Sequence, residues 1–213
     1  MGKYCITLAN RCSGKLKALM RTRRFYSTER LILLFKTHVL SLIELPTPAI
    51  FHAASSHLDH IDAVQRRFLR QIGVDELTAF LECNLAPLGL RRTIAMLGAI
   101  HRSVHGFAHP DMCQLFVRKP AVQRLTRSAA AAELHGLQLV DHCREYLGHA
   151  HALLKRSVFG LVGIWNALPA TVVNYRDVGT FQTALTHMAR DAALAEAELV
   201  RRGLEAPGVW MNL

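Results

Sequence analysis

The chain has 213 residues, with 26 lysine and arginine residues against 16 aspartate and glutamate residues, a net charge of +10. Apolar residues (51%) and charged residues (20%) stand close to globular averages, which argues against wholesale disorder and against a low-complexity scaffold. The strongly basic balance favours a polyanionic partner, either nucleic acid or an acidic membrane surface.

The sequence carries no readable sign of export or of a membrane span. Residues 1–8 hold one lysine and no long apolar run, and Ile6 occupies the position where a myristoylation motif needs Ser or Thr. The longest apolar stretches, residues 31–35 and 39–43, are far shorter than the roughly 20 residues that a bilayer requires. Five widely spaced cysteines favour a reducing compartment. We therefore expect an intracellular protein without membrane contact, and leave nucleus and cytoplasm open.

The positive charge is concentrated at the N-terminus. Residues 1–73 contain twelve basic and four acidic residues, whereas residues 74–213 contain fourteen and twelve. Helical periodicity over residues 3–24 predicts one helix whose buried stripe is formed by Cys5, Ala9, Cys12, Leu16 and Leu19. The opposite face forms a cationic ridge of Lys3, Lys17, Arg21 and Arg24, flanked by Arg11 and Lys15. Phosphate contact and a merely solvated face are equally open, because no aromatic stacking pattern accompanies the ridge.

The rest of the chain is also predicted to be helical. Ser27 is expected to cap a second helix. A third is expected to start at Ser56 and end at Gly73, with an Asp62–Arg66 pair and a core stripe of Leu58, Ile61, Val64, Phe68 and Ile72. Further helices are predicted after Asp75, from Pro87 to Gly106, at residues 157–168 and at residues 180–202, with Trp165 packed beneath the C-terminal ones. Residues 136–141 could form a short strand. The fold class predicted is mainly α, with at most one short strand or hairpin.

Residue spacing alone indicates no active site. The densest group of possible metal ligands has neither zinc-finger nor HExxH spacing: His135, His142, Cys143, His149 and His151. Asp59 and Asp62 are explained by helix electrostatics. Dinucleotide, phosphate-loop and hydrolase motifs are not found, so the sequence predicts no catalytic residue, no metal site and no cofactor.

Two blocks of sequence resemble a known family. Residues 21–26 (RTRRFY), 34–38 (LFKTH), 48–53 (PAIFHA) and 57–70 (HLDHIDAVQRRFLR) resemble the helical thumb that follows the palm in reverse transcriptases of non-LTR retrotransposons. Residues 156–169 (RSVFGLVGIWNALP) and 180–185 (TFQTAL) are similar to the family's C-terminal segment R-S-F-F, W-N-x-L-P, S-F-K-x-x-L. The order and separation of the blocks also agree, and the resemblance spans about residues 3 to 190.

The resemblance implies a thumb-like helical region at residues 1–117 and a C-terminal helical connection region at residues 136–213, joined by a linker at residues 118–135. The family's polymerase chemistry belongs to a palm with an Asp-Asp turn, and no Asp-Asp pair occurs in these 213 residues. We therefore expect a non-catalytic fragment from a truncated or degenerate mobile-element copy.

Because family thumbs hold the template–primer backbone, the resemblance and the ridge together give eight expected contact residues: Lys15, Lys17, Arg21, Arg23, Arg24, Arg66, Arg67 and Arg70. The expected partner is RNA or DNA backbone, bound weakly and without sequence preference. Two alternatives stay open. One is a helical protein-interaction module that docks a reverse-transcriptase palm or another protein, and the other is a non-functional remnant.

Overall fold

The structure is a computed structural model, and it describes residues 1–120, 135–144 and 148–201. Within these residues the chain is helical and contains no strand, which confirms the mainly α class. The nearest approach to a sheet is a single antiparallel bridge between Arg118 and Leu139. Most of the expected linker, residues 121–134, lies outside the described residues.

The described chain divides into two compact units. The first comprises residues 1–92 and 196–201, and the second comprises residues 93–195. The helices of the first unit are α1 (Gly2–Arg21), α2 (Thr28–Phe35), α3 (Ser41–Glu44), α4 (Thr47–Ile50), α5 (Ser55–Ile72) and α6 (Glu76–Leu81). Helix α7 (Leu88–Val104) begins in the first unit and continues into the second.

Helices α1 and α5 form the centre of the first unit and pack against each other along their length. On α1 the predicted stripe is confirmed at Cys5, Ala9, Cys12 and Leu16, which are buried together with Leu8. On α5 the same holds for Ile61, Val64 and Phe68, whereas Leu58 and Ile72 are half-buried. The Phe68 ring stacks on Phe35 of α2 with 4.2 Å between ring centroids, so α2 closes the core over the α1–α5 pair.

Local signals predict several helix ends correctly. The Ser27 hydroxyl accepts a hydrogen bond from the Arg30 amide at 3.4 Å and caps α2. The Asp75 carboxylate caps α6 through the Thr78 amide at 2.9 Å. Gly73 ends α5 with φ +72°, a left-handed conformation that glycine adopts without steric cost.

Three local expectations in the first unit are wrong. Helix α1 ends at Arg21, and Arg24 lies instead in a separate 3₁₀ turn (Arg23–Phe25), because Thr22 turns its hydroxyl and amide back to Leu19 O. Helix α5 starts at Ser55, with Ala54 and not Ser56 in the cap position. Asp62 bonds Arg92 of α7 rather than Arg66.

The second unit contains the remainder of α7, four complete helices and most of a fifth: α8 (Pro110–Gln114), α9 (Gly148–Arg156), α10 (Val162–Ala167), α11 (Ala170–Val173) and α12 (Val178–Arg201), of which residues 196–201 belong to the first unit. Its core is centred on Trp165, which is fully buried, as predicted, with the Phe181 ring of α12 at 5.8 Å. The helix predicted at residues 157–168 is divided into a 3₁₀ turn (Val158–Leu161) and α10.

The Trp165–Asn166 pair holds an extended segment in place. The Trp165 indole Nε1 donates to Leu137 O at 2.9 Å. The Asn166 side chain accepts from the Leu139 amide at 2.8 Å and donates to Leu139 O at 2.9 Å, so it replaces a neighbouring strand. These two residues of the family-like W-N-A-L-P block therefore have a structural role that the side-chain contacts explain.

Candidate nucleic-acid interface

The basic residues of α1 lie away from its buried face. Lys17 and Arg21 stand opposite the stripe of Cys5, Cys12 and Leu16, and Lys15 lies on the flank. The side chains of Lys15, Lys17 and Arg21 are exposed. The helix contains no acidic residue, so every charged side chain on its outer surface is positive.

Basic side chains continue into the turn that follows α1. Arg23 and Arg24 belong to the 3₁₀ turn Arg23–Phe25 and are both exposed. The Phe25 amide donates to Thr22 O at 3.0 Å and the Tyr26 amide to Arg23 O at 3.2 Å, which fixes the backbone of the turn. Because the helix ends at Arg21, Arg24 does not lie on the basic face of α1 that the sequence predicts, but it is still exposed.

Helix α5 carries the other three expected residues. Arg66, Arg67 and Arg70 are all exposed on the side away from Val64 and Phe68.

The N-terminal ends of α1 and α5 lie next to each other. The His57 imidazole packs so closely on Gly2 that a Cβ there would lie 2.5 Å from Nε2. At about 1.5 Å per residue, Lys15 and Arg70 each stand roughly 20 Å along their helices from this contact. In each helix the expected contact residues therefore lie in the half that is distant from this contact.

Ion pairs neutralise some of the acidic residues of the first unit. Asp62 is bonded by both terminal nitrogens of Arg92, at 2.6 and 2.8 Å, and Glu44 is bonded by Arg91. These pairs use two of the four acids in residues 1–73. Among the described residues, no ion pair includes any of the eight expected contact residues.

Helix electrostatics explain only part of this charge. Cations in the last turn of a helix are stabilised by its dipole, and Arg21 in α1 and Arg70 in α5 hold that position. Lys15, Lys17 and Arg66 lie outside the last turns, so the dipole does not account for them. Helix electrostatics therefore do not explain the positions of these three residues.

One feature of the interface is missed by the sequence analysis. Phe25 and Tyr26 are 67% and 45% exposed, directly after Arg23 and Arg24. Arg24 lies over the Phe25 ring with Cζ 4.8 Å from the centroid. The adjacent letters R-R-F-Y are a signal that could have revealed these aromatics, but an uninterrupted helix through Arg24 gives no reason to expect both rings at the surface.

The histidines and cysteines have other contacts. His135 Nε2 lies 3.0 Å from Trp165 O, and His151 Nδ1 lies 2.8 Å from Cys143 O. Burial raises the pKa of the Cys12 and Cys143 thiols, which keeps both protonated at neutral pH. In residues 1–120, 135–144 and 148–201, no three His, Cys, Asp or Glu side chains are grouped to hold a metal.

The second unit has an apolar groove of about 620 Å³. It is lined by Gln114, Leu115, Val117, His142, Ala150, Leu153, Leu154 and Phe159. Leu115, Val117 and Leu153 are 45%, 52% and 62% exposed, so apolar side chains of the groove face solvent.

No family model, curated protein or solved structure matches the chain. No helix in the part of the chain that the structure describes is long and apolar enough to cross a membrane.

Proposed function

We propose that the chain is a non-catalytic module that binds the nucleic-acid backbone through the basic surface of the first unit. The observation that carries the proposal is that all eight expected contact residues, on α1, α5 and the turn after α1, are exposed on one compact unit. The resemblance to the thumb of non-LTR retrotransposon reverse transcriptases supports the same ligand, and we propose that origin for the chain.

Contacts of this kind make binding sensitive to salt and indifferent to sequence. Lysine and arginine on phosphate displace condensed counterions and read no base edge. Five or six such contacts on a duplex give a log–log salt slope of roughly −4 to −5, at about −0.9 for each phosphate neutralised.

The test is the salt dependence of binding to a blunt duplex, followed by fluorescence anisotropy. We expect the K17A/R21A/R24A variant to flatten the slope by about 2 to 3, because each change removes one phosphate contact. The matched control is R102A/K155A/R176A, which removes three exposed basic residues from the second unit and lowers the net charge equally. We expect the control to keep the parent slope.

A second candidate function is a protein-interaction module, which the apolar groove of the second unit favours. It predicts a shallow slope in the parent, no difference between the two triple variants, and capture of a protein partner that persists at high salt. That result would contradict the backbone-binding proposal.

A further inference from the structure

The turn that follows α1 displays two aromatic rings that the core does not use. Phe25 is 67% exposed and Tyr26 is 45% exposed, and neither belongs to the hydrophobic cluster of the first unit. Apolar stabilisation of the fold therefore does not account for either ring. Their neighbours Arg23, Arg24 and Arg30 are also exposed.

The backbone that carries the rings is well fixed. Thr22 Oγ1 donates to Leu19 O at 2.8 Å, and the amides of Phe25 and Tyr26 donate to Thr22 O and Arg23 O. Ser27 then caps α2. Both sides of the turn are anchored in helices, so the rings need little reordering before they meet a ligand.

The Phe25 ring is already in a cation–π contact. Arg24 Cζ lies 4.8 Å from the ring centroid, and the ring keeps two thirds of its surface in solvent. The guanidinium lies over one face of the ring, and an exposed aromatic ring next to a cation is the kind of group on which an unpaired base stacks, with the cation available for its phosphate. A base within an intact duplex cannot reach them, because its faces are covered by its neighbours in the stack.

We infer that the Phe25–Tyr26 turn stacks unpaired bases, so the preferred ligand of the interface is single-stranded nucleic acid. This inference rests on the proposed function, since it assigns the ligand of the same basic surface. Electrostatics alone would favour binding to a duplex, because a duplex carries more phosphate charge per length and releases more counterions for each contact. A preference for the single strand is therefore diagnostic of stacking.

The experiment measures dissociation constants of the full chain for a 20-nucleotide RNA, the same DNA and a blunt 20-base-pair duplex at one salt concentration. We expect the parent to bind one or both single strands more tightly than the duplex. The F25A/Y26A variant should lose at least about fivefold in single-strand affinity, the low end for one stacked base, and change less than about twofold on the duplex. F25W/Y26F, which keeps both rings, should retain the single-strand affinity.

The matched control is F107A/Y175A, because Phe107 and Tyr175 are 60% and 40% exposed on the second unit. It should bind as the parent does. A urea unfolding curve for F25A/Y26A that overlays the parent excludes misfolding.

The outcomes separate the two proposals. The stacking inference would be overturned if the parent bound the duplex more tightly than the single strands and F25A/Y26A had the same dissociation constants as the parent. In that case a steep salt slope would still support the backbone-binding function. A parent that binds none of the three probes would overturn both.

Discussion

Asp62 forms its ion pair with Arg92 and not with the residue that local spacing predicts. The two terminal nitrogens of Arg92 bond both carboxylate oxygens of Asp62, and the Arg92 side chain is 8% exposed. Local spacing predicts an Asp62–Arg66 pair, since residues four apart on a helix are neighbours. Arg92 is 30 residues away and therefore invisible to a helical pattern. Because it takes the carboxylate, Arg66 is left exposed at the proposed interface.

The Asp62→Ala substitution is expected to destabilise the fold by about 3 kcal/mol. Removing one partner of a buried pair leaves the other charge desolvated, and the lower end of the usual range applies because Asp62 is 19% exposed. Urea unfolding measures the effect. Asp59→Ala, on the exposed face of the same helix, is the control and should cost under about 0.5 kcal/mol, as should Arg66→Ala. Equal losses in Asp62→Ala and Arg66→Ala would instead favour the local pair.

Among the helices, amphipathic periodicity predicts the long ones well. It does not predict the helix α9 or the way in which helices pack against one another. The buried stripes of α1 and α5 follow from apolar residues spaced three and four apart. Helix α9 is missed because G-H-A-H-A-L-L-K-R has no buried stripe, and its residues are exposed or half-buried. The contact between the N-terminal ends of α1 and α5 depends on tertiary packing and cannot be predicted from either helix alone.

Packing of α7 within the second unit depends on two histidines that no sequence pattern singles out. His101 Nε2 lies 2.6 Å from Tyr175 O and His105 Nε2 lies 3.0 Å from Val173 O, just after and at the end of α11. The His101 ring is fully buried and stacks on Phe181 at 4.5 Å. Burial lowers the pKa of His101, and the nearby His105 lowers it further, whereas the bond to Tyr175 O and the charge of Asp177 oppose the shift.

This lowered pKa makes stability depend on pH in a defined direction. Below the ordinary histidine pKa of 6.5 the unfolded chain takes up a proton that folded His101 resists, so the free energy of unfolding falls as the pH drops below 6.5. The contribution of one such group is at most about 1.4 kcal/mol per pH unit. We expect His101→Gln, which can still donate to Tyr175 O, to reduce the loss between pH 7 and pH 5.

Urea unfolding at several pH values tests the expectation, and the exposed His187 of α12 provides the control. His187→Gln should leave the pH dependence unchanged. A His101→Gln profile parallel to that of the parent would show that His101 does not contribute to acid sensitivity.

Over the whole molecule, the distribution of charge along the chain is more informative about the proposed interface than the net charge is. Residues 1–73 carry a net +8 of the chain's +10, and all eight expected contact residues within this range are exposed. Exposure of the eight expected contact residues could be predicted, because helical periodicity separates polar from buried positions. The ion pairs that occupy Glu44 and Asp62, and the display of Phe25 and Tyr26, could not, because they depend on where the chain turns and on contacts remote in sequence.

The proposed function also predicts binding to a primer–template without extension of it. Polymerase chemistry of the resembled family needs carboxylates that hold two metal ions, and this sequence has no Asp-Asp pair. With Mg²⁺ or Mn²⁺ and all four deoxynucleotides, the purified chain should leave the primer at background length. In the same tube, anisotropy should report binding that weakens steeply with salt, and K17A/R21A/R24A should flatten the salt slope by about 2 to 3. Asp59 and Asp62 are both on α5, three residues apart, and Asp59 is the one that is not bonded by Arg92, so Asp59→Asn is the informative variant. Extension that scales with the parent protein, survives further purification and is lost in Asp59→Asn would show that the chain is an enzyme after all.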